Sequence, residues 1–190
     1  NNRRITSKSS SFIISFLEES STLFLEKVAS YEVEDLLVQL YNFEEVNKEH
    51  LTKKLINNFF KVLEQKETYT VDSNISEYLD TIIKYDSVKG WELISKKLLE
   101  CEGLFKYRLV EIMGHTMSNK HSAPVHNVPI ETLKHWATTN KKASQILAEL
   151  YPVNVEVENK ENSLIHFLIT EFGTDEIVLR SIDRQLRNFS

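Results

Sequence analysis

Glycine and proline are scarce in this chain, 4 and 3 among 190 residues. Sheet-rich folds with many tight turns use more of both, so the shortage predicts long helices joined by few sharp reversals. Cysteine is rarer still. Cys101 stands alone, which excludes an internal disulfide and suits a reducing compartment, so a cytoplasmic protein is expected. No apolar run approaches the roughly 18 residues that a membrane span needs. The stretch from Phe12 to Leu17 is short and interrupted by Ser15. Asn1-Asn2-Arg3-Arg4 is not followed by the apolar core and cleavage site of a secretory leader. Positive charge is in deficit as well. The net charge is −5, whereas a dedicated polyanion binder carries the opposite balance, because phosphates are met by Lys and Arg.

What remains is ordinary globular material. Hydrophobic residues make up 41% and charged residues 27%, which excludes a mostly disordered chain. The first residue is not Met, and the chain stops directly after an amphipathic pattern, so a segment of a longer protein is expected.

Apolar residues recur at helical spacing through most of the sequence. Residues 1–9 are polar and basic, a frayed end. An N-terminal helical part is expected over residues 10–66. It starts with Phe12, Ile13, Phe16 and Leu17, then Leu23, Phe24 and Val28, with a break at Ser20-Ser21-Thr22. It continues with Leu36, Leu37 and Leu40, and a longer helix over 48–65 carries Leu51, Leu55, Ile56, Phe59, Phe60 and Leu63. Lys66 to Asn74 is polar and β-branched, and is read as a connector and internal boundary.

Helix pairs are expected over residues 75–190. Ile75, Tyr78, Leu79, Ile82 and Ile83 mark the first helix. Val88, Trp91, Ile94, Leu98 and Cys101 form the next stripe, which Gly103 ends, and Phe105, Leu109, Ile112 and Met113 begin another. His115 to Asn127 reads as a polar loop. Pro129 opens a helix whose Ile130, Leu133 and Trp136 face inward, followed by Ala143, Ile146, Leu147 and Leu150 up to Pro152. Residues 153–160 form an acidic connector or brief strand. The last pair runs through Leu164, Leu168, Ile169 and Phe172, then Val178, Ile182, Leu186 and Phe189. There Gly173 fits a left-handed position after one helix and Thr174 the N-cap of the next.

Helix, short turn, helix and longer connector thus recur about every 30 to 45 residues, the rhythm of α-solenoids. Gly90-Trp91-Glu92-Leu93-Ile94, Val128-Pro129-Ile130 through Trp136, Leu147-Ala148-Glu149-Leu150 and Leu164 to Phe189 resemble divergent HEAT-like repeats of large bacterial multidomain proteins. Those include STAND-type NTPases and related antiviral sensors, where such repeats form the sensing or scaffold region. Phe12 to Phe16 and Glu34-Asp35-Leu36-Leu37 faintly resemble the helical-repeat regulatory subunits of protein phosphatases. Both resemblances imply a non-catalytic scaffold. The fold expected is all-α, with antiparallel helix pairs stacked as a short HEAT-like α-solenoid; an irregular helical bundle is the alternative.

Chemical candidates are few. His115, His121 and His126 cluster in sequence, but their spacings of six and five do not fit a zinc motif, and no metal or cofactor is expected. Arg108 and His115 match the Arg-to-His spacing of HEPN-type ribonucleases, and seven residues apart on a helix would share a face. Against this, Leu109 stands where that family carries a polar residue, and Gly114 weakens the helix. No P-loop, nucleophile elbow or His-Glu-x-x-His is present. Cys101 lies on an apolar stripe as a core residue, and Trp91 and Trp136 sit at core spacing as packing anchors. Glu18-Glu19 and Glu44-Glu45 read as solvated faces. Arg180, Arg184 and Arg187 share a face of the last helix and form the candidate interaction surface, for an acidic partner or phosphate. The expectation is a non-enzymatic scaffold binding a protein partner or other domains of its own chain, with nucleic acid as the alternative ligand.

Overall fold

The computed structural model describes Ser15 and residues 30–42, 46–65, 73–114, 123–150 and 163–187. The frayed start, most of the first expected helices, the connector from 66 to 72, His115, His121, the acidic stretch 153–160 and Phe189 lie outside the described residues. Among those described, the chain is all-helical. The elements are α1 (Ser30–Tyr41), α2 (Lys48–Gln65), α3 (Ser73–Tyr85), α4 (Ser87–Glu100), α5 (Gly103–Gly114), a short 3₁₀ turn (Pro124–Asn127), α6 (Ile130–Thr139), α7 (Lys141–Leu150), α8 (Leu164–Phe172) and α9 (Glu176–Arg187). No helix among the described residues is long and apolar enough to cross a membrane.

Helix α3 sits innermost. From Ile75 to Ile83 every residue is buried, and α1, α2, α4, α5 and the 3₁₀ turn all pack on it. A helix buried around its full circumference encloses its polar groups as well, and several find partners while the Ser76 hydroxyl does not. Asp80 accepts from Asn127 Nδ2 at 2.7 Å, and Thr81 Oγ1 donates back to the Glu77 carbonyl at 2.9 Å. The Tyr78 hydroxyl donates to the Leu55 carbonyl on α2 at 3.2 Å.

A hydroxyl chain ties α1 and α2 to the α3–α4 junction. Thr52 Oγ1 donates to Asp86 Oδ2 at 2.8 Å, and Tyr41 Oη lies 2.9 Å from the same Thr52 oxygen. Thr52 has one proton, and the carboxylate takes it, so Tyr41 must be the donor to Thr52. The other Asp86 oxygen accepts the Lys89 N–H at 3.2 Å and caps α4. The Tyr41 ring also stacks on Tyr85, with centroids 5.3 Å apart.

The later helices follow one another through short turns, α6 in contact with α7 and α8 with α9. Asn140 caps α7 immediately after α6, its Oδ1 accepting from Ala143 N at 3.0 Å. Asp175 caps α9 after α8, its Oδ1 accepting from Ile177 N at 2.9 Å. The N-cap is therefore Asp175 and not Thr174, and Gly173 is right-handed (φ −65°, ψ −4°). The carboxylate outcompetes the hydroxyl because its charge also suits the helix N-terminus. Left-handed backbone occurs at Gly103 (φ 60°), where the chain turns from α4 into α5.

Four residues of the expected stripes are exposed, Ile169 and Leu186 on α8 and α9 and two others at helix starts. Val88 is 75% and Ile130 39% exposed. Each lies at a helix start, and helical side chains lean toward the N-terminus, so both reach past the end of their own helix. Conversely, Pro124 and Val125 are buried, so the expected polar loop ends in a short apolar turn against α3 and α5.

Replacing Thr52 with Val keeps the shape but strands the buried Tyr41 hydroxyl. We expect a loss of about 1–3 kcal/mol in urea unfolding. A pH series gives a second expectation. Burial pushes the Tyr41 and Tyr78 hydroxyls well above their ordinary value of 10.0. Their stabilisation is full below that value and lost as pH rises beyond it, since unfolded tyrosines ionise first. Stability should therefore fall above about pH 10 with tyrosinate absorbance appearing only on unfolding, and Tyr78→Phe should shrink the fall.

Candidate functional site

Among the described residues an extended polar contact joins α7 to α9. Asp175 Oδ2 accepts from Gln145 Nε2 at 3.0 Å and lies 3.3 Å from Lys141 Nζ. At the far end, Gln185 Nε2 donates to the Ala148 and Glu149 carbonyls at 2.8 and 3.1 Å. The start of α9 thus meets the start of α7, and end meets end, so the two helices run parallel. Gln185 satisfies carbonyls left without helical partners in the last turn of α7. Partial burial works to raise the Asp175 carboxyl, but hydrogen bonds from Gln145, Ile177 N–H, Lys141 and Val178 N–H outweigh it and hold the group below its usual range.

The arginine row lies on the outer side of α9, and its charges are matched locally. Arg180 bonds Glu176, Arg187 Nε lies 2.9 Å from Asp183, and Arg184 reaches Glu149 of α7 at 4.0 Å. Three arginines thus share their surroundings with three carboxylates. This lowers the positive potential a polyanion would meet. The same row remains open to a partner of mixed charge, because exposed ion pairs are individually weak and exchange readily.

Arg108 is in a different setting. It is 5% exposed, and its Nη1 donates to the Leu63 carbonyl in the last turn of α2 at 3.2 Å. The guanidinium closes the C-terminal end of α2, a structural role at a site the sequence reads as a candidate phosphate contact. His115 lies outside the described residues, so the pair is not seen together. His126 Nδ1 accepts from Ala123 N–H at 2.9 Å, which closes the 3₁₀ turn. Among the described residues no group of three metal-ligating side chains converges. Cys101 is half-buried, and burial pushes its thiol up, away from the thiolate a nucleophile needs. Trp91 and Trp136 pack edge to face with centroids 5.0 Å apart, joining α4 to α6.

No family model, curated protein or solved structure matches the chain. Function therefore has to be read from these surfaces.

Sequence reasoning missed the residues that join one pair to the next. Lys142 Nζ donates to the Leu99 carbonyl at 2.6 Å and closes α4, and Lys134 lies 5.9 Å from the centre of the Phe167 ring. Lys and Gln on helix surfaces carry no pattern that separates a solvated side chain from a tie. Asp175 does carry a signal, an acidic residue just before the periodic run and one position after the Thr174 read as the cap.

Asp175→Ala removes the cap and the link to α7 together. We expect a lower thermal midpoint at neutral pH. Because the folded-state carboxyl is depressed, its contribution is present above the ordinary value of 3.8 and lost as pH falls through the folded value. The gap between wild type and variant should therefore narrow in acid, which paired thermal melts would show.

Proposed function

We propose that this chain is a non-catalytic helical scaffold in which α4–α9 act as a short HEAT-like array and α1–α3 close off its first face. The carrying observation is a recurrence in the buried residues. Leu133 and Leu168, Ala143 and Val178, and Leu147 and Ile182 each stand 35 residues apart and are all buried. The caps Asn140 and Asp175 keep the same spacing. One pair earlier, Leu109, Val110 and Met113 precede Ile146, Leu147 and Leu150 by 37 residues, again all buried. Equivalent helices also lie side by side. Besides α7 beside α9, the end of α5 meets the end of α7: a Cβ on Gly114 would come within 2.4 Å of the Leu150 carbonyl oxygen. A recurring unit with matching caps and parallel second helices is the arrangement of stacked αα repeats.

Such arrays bind proteins or neighbouring domains through extended side-chain surfaces. The resemblance to repeat regions of large bacterial sensors supports the same role. The enclosed helix α3 departs from an open array, and a fully integrated bundle is the competing arrangement.

Native-state hydrogen exchange distinguishes them. An array predicts graded protection, with α8 and α9 opening at lower free energy than α2–α5. One common opening energy for all helices would support the integrated bundle. Function is tested with RNA and DNA at low salt. We expect no salt-dependent binding, and either such binding lost in Arg180→Ala/Arg184→Ala/Arg187→Ala or RNA cleavage lost in His115→Ala would overturn the scaffold reading.

A further inference from the structure

Positions of α6 and α7 that take part in stacking have counterparts 35 residues later on the α8–α9 hairpin, and those counterparts face solvent. Lys134 lies against the Phe167 ring, whereas its counterpart Ile169 is 45% exposed. Ser144 is buried, whereas Leu179 is 41% exposed. Gln145 bonds Asp175, whereas Arg180 points outward. Leu186, seven residues after Leu179 and on the same row, is 50% exposed. The free face of the last hairpin thus combines a leucine row with a charged row.

The order of charges indicates what covers it. Glu176, Arg180, Asp183 and Arg187 fall at i, i+4, i+7 and i+11, one row along α9. Two such helices set antiparallel about a two-fold axis at the level of Ser181 and Ile182 bring Glu176 opposite Arg187 and Arg180 opposite Asp183. The row is complementary to itself read backwards. The two-fold keeps the leucine flanks on one side, and Leu186 of the second copy then falls two residues, about 3 Å along the axis, from Leu179.

We propose that this face is a homotypic docking surface, on which two copies of the chain pack their α8–α9 hairpins with α9 antiparallel to α9. The proposal rests on the repeat reading for the equivalence of positions. An isologous contact of this kind closes on itself and gives a dimer and no filament. Helix α9 has 12 residues and is about 18 Å long, so the face is at the small end of specific interfaces. Leu179, Leu186 and Ile169 supply the apolar contact. The charged row sets orientation, its intrahelical pairs exchanging for intermolecular ones of the same kind.

Sedimentation equilibrium of the full chain tests this. A reversible dimer with a dissociation constant of about 1–100 μM is expected, in keeping with the small face. Leu179→Asp/Leu186→Asp should leave a monomer at every concentration, with unchanged helicity by circular dichroism. Glu176→Arg and Arg187→Glu should each weaken the dimer about tenfold, and the two together should restore it, since opposite charges face each other again. Three results would overturn the proposal: a wild type monomeric throughout, as when the face belongs to a different partner; a dimer indifferent to the leucine changes; or a double charge variant no better than the singles. None of these touches the stacking within the chain, which the graded hydrogen exchange tests separately.

Discussion

Enclosing α3 is the constraint on which the first half of the molecule depends. A helix buried on every side has to be covered on its apolar face (Ile75, Tyr78, Leu79, Ile82 and Ile83) and on its polar one (Ser76, Glu77, Asp80 and Thr81), and α1, α2, α4 and α5 all pack on it. It also carries Asp80 into the interior, where a carboxylate is tolerated only with a donor beside it. Asn127 supplies that donor from a turn 47 residues away, so the turn before α6 is positioned by the needs of the innermost helix. The chain from Tyr41 through Thr52 to Asp86 has a similar effect, fixing where α4 starts relative to α1 and α2.

From α4 onward a second rule takes over. Several of the polar contacts among these helices are made by side chains that complete unfinished helix ends. Lys142 closes α4, Gln185 closes α7 and Asp175 opens α9. These ties use the orphan groups that every helix end leaves, so they recur wherever equivalent ends lie side by side.

The all-helical character was legible in the spacing of apolar residues, and Leu55, Phe59, Leu79, Ile82, Leu109 and Leu147 are buried as that spacing requires. Periodicity misled at Ile169 and Leu186, which keep the period but stay exposed on α8 and α9, and at two positions where the cause was local. Val88 and Ile130 follow the stripe but stand at helix starts, where there is no neighbouring turn to lean on. Candidate sites were harder to read. Arg108 has the same spelling whether it holds a phosphate or the Leu63 carbonyl, and only its burial separates the two. The row of Arg180, Arg184 and Arg187 reads as basic in sequence until Glu149, brought in from α7, and Glu176 and Asp183, on the same helical face, are counted with it.

By itself the sequence determined that the chain is helical, where most helices begin and end, and that one face of each is apolar. These follow from local propensity, capping and period, which act over a few residues. Tertiary structure decided which helix is innermost, which polar side chains join distant elements and which apolar residues stay exposed on the last hairpin. Those outcomes depend on contacts between residues 30 to 50 positions apart (Thr52 with Asp86, Asp80 with Asn127, Gln145 with Asp175), and no local pattern encodes them. The arginine row illustrates both parts: its helix, its face and two of its carboxylates, Glu176 and Asp183, were written in the sequence, and Glu149 was brought to it by what folded beside it.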